Sequence, residues 1–139
     1  MSRISKDDYY LEIAKSVSVR STCLRAKAGA VIVNNDTIIS TGYSGSARNE
    51  PNCSDIGECE RDKLKIKPGT QYELCKSIHA EANAIINAAR HHGGTIGARL
   101  YIYFERLDGL KTRHNGPCIM CSRMIKNAGI SDIIFKEVI

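Results

Sequence analysis

Two short segments constrain this chain more than any other feature, because both carry potential metal ligands. The first is His79-Ala80-Glu81, and the second is Pro117-Cys118-Ile119-Met120-Cys121. Imidazole and thiolate groups are preferred zinc ligands, and three of them leave the fourth position of a tetrahedral zinc open to water. The fold must therefore bring the two segments together around one ion, with Glu81 beside the ion but not bound to it.

Local propensities place both segments at the beginning of helices. Residues 78–90 are rich in alanine and precede two glycines, so they predict a helix with His79 and Glu81 in its first turn. A proline before Cys118 suits the start of a second helix, on which Cys118 and Cys121 share one face. The positive end of each helix dipole favours thiolate, the form of cysteine that binds metal.

Three ligands and a free carboxylate indicate a catalytic zinc site. A zinc ion with an open position lowers the pKa of its bound water to about 7. Glu81, two residues from His79, can carry protons between that water and a substrate. Cys-x-x-Cys pairs also occur in structural zinc sites and redox pairs. Glu81 favours catalysis, because a structural site has no use for an unbound acid.

Composition favours one globular domain spanning residues 1–139. The chain is 42% hydrophobic and 25% charged, and no apolar stretch approaches the length of a membrane span. Its first residues lack the apolar core of an export signal, so we expect a cytoplasmic protein with unpaired or metal-bound thiols. The net charge of +5 favours anionic partners, and its dispersion along the chain suits a small phosphorylated substrate as well as nucleic acid.

The apolar pattern predicts a hairpin followed by alternating helices and strands. The predicted helices cover residues 7–20, with Ser5 as a cap, 78–90 and 118–127. The predicted strands cover residues 28–33, 37–43, 99–104 and 132–135. Long loops are expected at residues 45–70, with a short helix near residues 59–64, and at residues 105–116. This order predicts an α/β fold with helices packed on the faces of a mixed β-sheet.

Beyond the metal motif, the chain resembles the deoxycytidylate (dCMP) deaminases of the cytidine deaminase superfamily. The similarity covers roughly residues 9–136 and includes residues 23–33, 42–45, 78–85, 97–101 and 127–130. It implies a three-layer α/β/α sandwich, a catalytic zinc, and hydrolytic deamination of dCMP to dUMP with Glu81 as the proton carrier. It also implies regulation by dCTP and dTTP and a homo-oligomer, commonly a hexamer. The chain ends soon after its last predicted strand, so we expect an exposed sheet edge that favours assembly.

The resemblance further implies contacts with a nucleotide substrate. The backbone N–H of Ala80 is expected to contact the pyrimidine carbonyl. In the loop at residues 42–49, Ser44 stands where the family commonly has asparagine, and the family's proline and final glycine are also replaced. The candidates for phosphate contact are Arg25, Lys27 and Arg48. Each is also a residue type that is common on protein surfaces.

Four cysteines remain outside the first metal set: Cys23, Cys53, Cys59 and Cys75. Some similar deaminases carry a second, structural zinc that is bound partly by cysteines at the positions of Cys23 and Cys53. Such an ion would also order the long loop that follows the hairpin. Buried cysteines that act as small apolar residues explain the same pattern without a metal.

Two other functions are compatible with these motifs. The chain could deaminate another nucleoside, a modified nucleotide or an adenosine in transfer RNA. Its 6% aromatic content and lack of tryptophan argue mildly against RNA, so no nucleic-acid partner is expected, and no membrane partner either. A non-catalytic, zinc-containing binding protein is the second alternative, and Glu81 argues against it.

Overall fold

The computed structural model describes residues 2–107, 109 and 116–138. Its helices are α1 (Lys6–Ser18), α2 (Cys53–Ile56), α3 (Glu60–Lys63), α4 (Ala80–Arg90) and α5 (Ile119–Asn127). Its strands are β1 (Ala26–Asn34), β2 (Thr37–Tyr43), β3 (Gly45–Ser46), β4 (Ser77–Ile78), β5 (Arg99–Arg106) and β6 (Asp132–Val138). A short 3-10 helix, Tyr72–Leu74, precedes β4.

Four strands form the main sheet in the order β2-β1-β5-β6. Strand β1 pairs antiparallel with β2 and β5, whereas β5 and β6 are parallel. Asn35 and Asp36 both have positive φ, as a tight turn between twisted antiparallel strands requires. The predicted hairpin and mixed sheet are confirmed.

Alternate residues of β1 enter two separate cores. Val31 and Val33 pack with α1 and with Tyr101 of β5 on one face. Ala30 and Ile32 pack with α4 and α5 on the other face. A strand covered on both faces is apolar at every position, which explains the unbroken apolar run in this part of the sequence. The arrangement is the predicted three-layer α/β/α sandwich.

The predicted first helix and its cap are also present. Helix α1 begins after Ser5, whose hydroxyl oxygen accepts a hydrogen bond from the N–H of Asp8 at 3.1 Å. This satisfies a backbone donor that the helix itself leaves without a partner. None of the helices in the described residues is both long and apolar enough to cross a bilayer.

The two predicted loops need correction. The segment 45–70 contains the expected short helix α3, but it also contains β3 and α2. Strand β3 pairs with β4, which anchors this segment at the start of α4. Strand β5 extends beyond the predicted end at Phe104 to Arg106. Its last residue, Arg106, pairs with Ala26 of β1, and Glu105 pairs with both β1 and Val138 of β6. Residues 108 and 110–115 of the second predicted loop lie outside the described residues.

Asn52 attaches the segment between β3 and β4 to the rest of the domain. Its side-chain oxygen accepts hydrogen bonds from the Thr22 hydroxyl at 3.0 Å and from the Ser46 N–H at 3.2 Å. Its own N–H donates to the carboxylate of Asp55 at 3.0 Å. The hydrogen bonds of the Asn52 side chain therefore help to hold in place the segment that carries α2 and α3.

Two glycines let helices approach the sheet closely on its two faces. A Cβ at Gly29 would overlap the backbone of α1, and a Cβ at Gly42 would overlap the backbone of α4, including the carbonyl oxygen of Ala80 at 2.6 Å. On the α4 face, the Ser40 hydroxyl also donates to the Ala84 carbonyl oxygen at 2.8 Å. These contacts determine where the beginning of α4 lies relative to β2.

We expect Gly42→Ala to lower the free energy of unfolding by about 3 kcal/mol, because the clashing atoms are backbone atoms that cannot rotate away. Urea denaturation measures this change. The matched control is Gly94→Ala, since no atom lies within 4 Å of a Cβ at Gly94. Equal stability of the Gly42 and Gly94 variants would show that the close packing of α4 on β2 is not required.

Candidate active site

Both ligand segments lie at helix starts, as predicted, but the first ligand of each segment caps its helix and is not part of the first turn. His79 is the N-cap of α4, and Cys118 is the N-cap of α5, with Cys121 in the first turn of α5. The two cap residues have extended backbone, so each helix begins just after its first ligand. The backbone N–H of Cys121 donates to the Cys118 sulfur at 3.4 Å, which is a typical N-cap hydrogen bond.

The three predicted ligands converge. His79 Nδ1 lies 3.3 Å from Cys121 Sγ and 3.5 Å from Cys118 Sγ. A tetrahedral zinc with ordinary Zn–N and Zn–S bonds holds nitrogen and sulfur ligands about 3.5 Å apart. Among the residues that the structure describes, no other group of three or more metal-ligating side chains has its ligand atoms within 4.8 Å of one another. The side chains therefore fit a zinc ion.

The pair of thiols loses a first proton readily, but it loses the second proton with difficulty. The hydrogen bond from Cys121, assisted by His79 and opposed by burial, lowers the pKa of Cys118 to about 4. The same hydrogen bond, together with burial, raises the pKa of Cys121. A divalent cation between the two sulfurs would offset their repulsion, so this pair is suited to hold one.

His79 lies between opposing influences. Burial lowers the pKa of its imidazole, whereas the hydrogen bond with Cys118 and the negative charge of Glu81 raise this pKa. The raising effects are larger together, so the net shift of the pKa is upward. The ring therefore faces negative groups on the side of Nδ1. A metal cation bound at that nitrogen would be stabilised by the same groups.

Glu81 lies in the first turn of α4 and is buried, with 7% of its surface exposed. Burial raises the pKa of its carboxyl group, and the charge of His79 opposes this increase. Within the described part of the chain, Glu81 is not a member of the ligand set. A buried carboxyl group with a raised pKa, close to a set of candidate metal ligands but outside it, is suited to accept and release a proton.

A cavity of about 250 Å³ adjoins the ligand set. Its floor includes His79, Glu81 and Cys118. Aromatic side chains in its wall are Tyr72, Phe104 and Phe135. Its charged wall residues, apart from Glu81, are Arg25, Glu60, Arg61, Lys76 and Arg106. Cationic side chains outnumber carboxylates, so the cavity favours a small anionic ligand with a flat ring.

The structure separates the predicted substrate contacts into two groups. Ala80, Ser44 and Arg25 line the cavity, and Arg25 also forms an ion pair with Asp62 at 3.7 Å. Lys27 is not among the described residues that line it, because side chains alternate along β1 and the neighbouring Ala28 faces the cavity.

Arg48 also lies outside the described cavity wall. Its Nη2 donates instead to the side-chain oxygen of Asn87 on α4, at 2.7 Å. The structure therefore brings one of the three predicted phosphate-binding residues, Arg25, to the site and leaves Lys27 and Arg48 elsewhere.

Among the cavity residues that the sequence did not indicate, Arg61 and Tyr72 are in contact with each other. The guanidinium carbon of Arg61 lies 4.5 Å from the centre of the Tyr72 ring. The Tyr72 ring in turn contacts the His79 ring edge-on, with 4.9 Å between ring centres. In the sequence, Arg61 stands in a run of alternating charges that is typical of a solvated helix surface. No local signal distinguished it from its neighbours.

The four remaining cysteines, Cys23, Cys53, Cys59 and Cys75, all line the same cavity. Burial and the other three thiols raise the pKa of Cys53. Within the described residues, no three of these sulfur atoms lie within 4.8 Å of one another, so a zinc would have to draw them closer together. The second, structural zinc stays a prediction.

Comparison with known proteins identifies similar sequences over nearly the whole chain. The family model described as the cytidine and deoxycytidylate deaminase zinc-binding region matches residues 4–137. Deoxycytidylate deaminase of Mycobacterium phage D29 is 35% identical over 142 residues, covering 99% of this chain and 98% of the phage protein. The deoxycytidylate deaminase of Schizosaccharomyces pombe is 31% identical over 133 residues, which cover 96% of this chain but only 37% of the yeast protein.

A solved structure has the same architecture. The dCMP deaminase of the cyanophage S-TIM5, crystallised in complex with dCMP and dUMP, aligns with a TM-score of 0.72. The alignment covers 99% of this chain and 85% of the cyanophage chain, with 25% sequence identity. The similarity therefore includes both the sheet and the helices that carry the ligand set.

Proposed function

This chain belongs to the cytidine and deoxycytidylate deaminase family, and from this premise we propose that it hydrolyses dCMP to dUMP and ammonia. The observation that carries the proposal is the buried, unligated carboxylate of Glu81 beside a three-ligand zinc set. The basic cavity next to this set and the relatives named as deoxycytidylate deaminases support dCMP as the substrate.

His79, Cys118 and Cys121 would hold the zinc. When bound, zinc supplies a water molecule that is acidic enough to act as a nucleophile near neutral pH. Glu81 would accept a proton from this water and deliver it to the ring nitrogen next to C4. The new C–O bond would form at C4 as this first proton moves. Glu81 would then carry a second proton, from the hydroxyl now on C4, to the amino group, and the C–N bond would break to release ammonia. Water and dCMP are consumed, and dUMP and ammonia are released.

Other cavity residues would position the pyrimidine ring. The backbone N–H of Ala80 lies at the positive end of α4, where it can donate a hydrogen bond to the ring carbonyl. Ser44 is buried in the cavity wall, at the end of β2. Held in this way, the C4 carbon would face Glu81 and the ligand set.

We also propose a cytoplasmic enzyme, because the six cysteines are unpaired and thiolate ligands need a reducing environment. We propose a homo-oligomer, which exposed apolar residues on two outer elements support, and the family resemblance favours a hexamer. Examples are Ile133 on the edge strand β6 and Ile119 on α5. Regulation by dCTP and dTTP is proposed from the same resemblance.

Ammonia release from a substrate panel tests the function. The panel contains dCMP, CMP, deoxycytidine, dCTP and dAMP. We expect dCMP to have the highest kcat/KM and deoxycytidine a value about 100-fold lower, the contribution expected of charge-assisted hydrogen bonds to a phosphate. Repeating the dCMP assay with dCTP or dTTP present tests regulation. A preference for dAMP, or no reaction with any member, would contradict the proposed substrate.

A further inference from the structure

Arg61 is a buried cation with unused hydrogen-bond donors. Only 4% of its surface is exposed, although it lies on the four-residue helix α3 and contributes to the cavity wall. Its Nε and Nη2 atoms are buried and have no hydrogen-bond partner within residues 2–107, 109 and 116–138. Burying a guanidinium without partners is unfavourable, and an anionic ligand would remove the penalty.

Within residues 2–107, 109 and 116–138, no carboxylate forms an ion pair with Arg61, although Glu60 and Glu81 line the same cavity. Asp62 pairs with Arg25, and Glu81 lies beside the metal ligands. The aromatic face of Tyr72 holds the guanidinium at 4.5 Å. Such a cation–π contact orients an arginine through the face of the ring but leaves its N–H groups available in the guanidinium plane. Arg61 is therefore held in place without being neutralised.

Arg61 lies in the same cavity wall as the candidate metal ligand His79. The Tyr72 ring contacts both residues, with its centre 4.5 Å from the Arg61 guanidinium carbon and 4.9 Å from the centre of the His79 ring. In a nucleoside monophosphate, the sugar separates the base from the phosphate, so the two ends of such a ligand contact different residues of one cavity. A pyrimidine whose reacting carbon faces the metal ligands can thus extend its phosphate toward Arg61.

Two neighbouring cavity residues add suitable donors. The Ser77 hydroxyl is buried and has no hydrogen-bond partner in the described part of the chain. Lys76 lines the same cavity and adds a positive charge. A hydroxyl donor, a lysine and a guanidinium together match the several acceptor oxygens and the charge of a phosphate.

We infer that Arg61 binds the phosphate of the substrate, with Ser77 and Lys76 as additional donors, an inference that rests on the function proposed above. A phosphate fits this position better than a sugar hydroxyl, because a neutral hydroxyl would leave the arginine charge uncompensated. Arg61 thereby determines the preference for a nucleotide over a nucleoside.

The test compares dCMP with deoxycytidine, which lacks the phosphate, in wild type, Arg61→Gln and Arg61→Lys. We expect Arg61→Gln to lower kcat/KM for dCMP about 100-fold, mainly through KM, and to leave kcat/KM for deoxycytidine unchanged. Arg61→Lys keeps a charge but loses the planar fork, so a smaller loss of about 10-fold is expected. Affinity for the product dUMP, measured by calorimetry, should weaken by the same factors. The matched control is Arg48→Gln, an exposed arginine outside the described cavity wall.

Unchanged dCMP kinetics and dUMP affinity in Arg61→Gln would overturn the inference. So would equal losses with dCMP and deoxycytidine, since those would show that Arg61 only supports Tyr72. Should Arg61→Gln fail to fold, Arg61→Lys carries the same comparison.

A wild-type chain that does not react with dCMP but deaminates another substrate would contradict the proposed function and not the role of Arg61. Calorimetry with inorganic phosphate would then test Arg61 separately, with weaker binding to Arg61→Lys supporting the inference and equal binding overturning it.

Discussion

Replacing Glu81 with glutamine should reduce kcat for dCMP by about 10²- to 10⁴-fold, the usual contribution of a general acid–base group. Glutamine has the same shape but cannot accept and release a proton. Glu81 is not a member of the ligand set in the described residues, so zinc content should not change. The free energy of unfolding should be equal or higher, because the variant no longer buries a carboxylate that burial destabilises.

Steady-state ammonia release, zinc analysis and thermal unfolding together measure this prediction. The matched control is Glu60→Gln, which removes the other carboxylate among the described cavity residues. We expect the control to keep nearly full activity. A Glu81→Gln variant that retained wild-type kcat would refute the role of Glu81 as proton carrier. Loss of zinc from that variant would show that Glu81 supports the metal instead.

Replacing Cys121 with alanine should remove the catalytic zinc and lower activity about 10³-fold or more, since a site with two protein ligands cannot retain the ion at ordinary concentrations. The Cys121 sulfur lies within 3.3 Å of His79 Nδ1, and the residue is fully buried beside Ala84 and Ile125. Alanine suits this test because it adds no polar group to that core.

Elemental analysis of zinc per chain, alongside ammonia release, measures the effect. Met120→Ala is the matched control, because Met120 is adjacent on α5 but exposed. The control should keep both zinc and activity. Full activity in Cys121→Ala would contradict the ligand assignment.

The zinc content of the wild-type chain also tests the predicted second metal site. Two zinc equivalents per chain would support that site, and one equivalent would contradict it.

Local patterns predicted much of this fold. The unbroken apolar run of β1, followed by two residues suited to positive φ, predicted the hairpin, because a turn of this kind depends on adjacent residues only. The alanine-rich segment after His79 predicted α4 for a similar reason. Strands β5 and β6 were predicted too short, because their last residues are held by pairing with neighbouring strands and not by their own composition. The end of β5 pairs with β1 and β6, and the end of β6 pairs with β5.

The candidate site was likewise predicted only in part from the sequence. The residue types and spacing of His79, Glu81, Cys118 and Cys121 were sufficient to predict the ligands and the free acid, because zinc chemistry selects few side chains. The same reasoning chose Lys27 for the phosphate, and its neighbour Ala28 faces the cavity instead. Which face of a strand lines a cavity depends on the elements packed above it.

The sequence by itself determined the order of the four main-sheet strands and of the three long helices, and it selected the candidate metal ligands, because both depend on nearby residues and on side-chain chemistry. Only the tertiary structure decided that Arg61 is buried against Tyr72, one ring away from His79. It also decided that β2 approaches α4 closely enough to require glycine at position 42. Burial and close approach arise from segments that are distant along the chain, and no local pattern of residues records those distances.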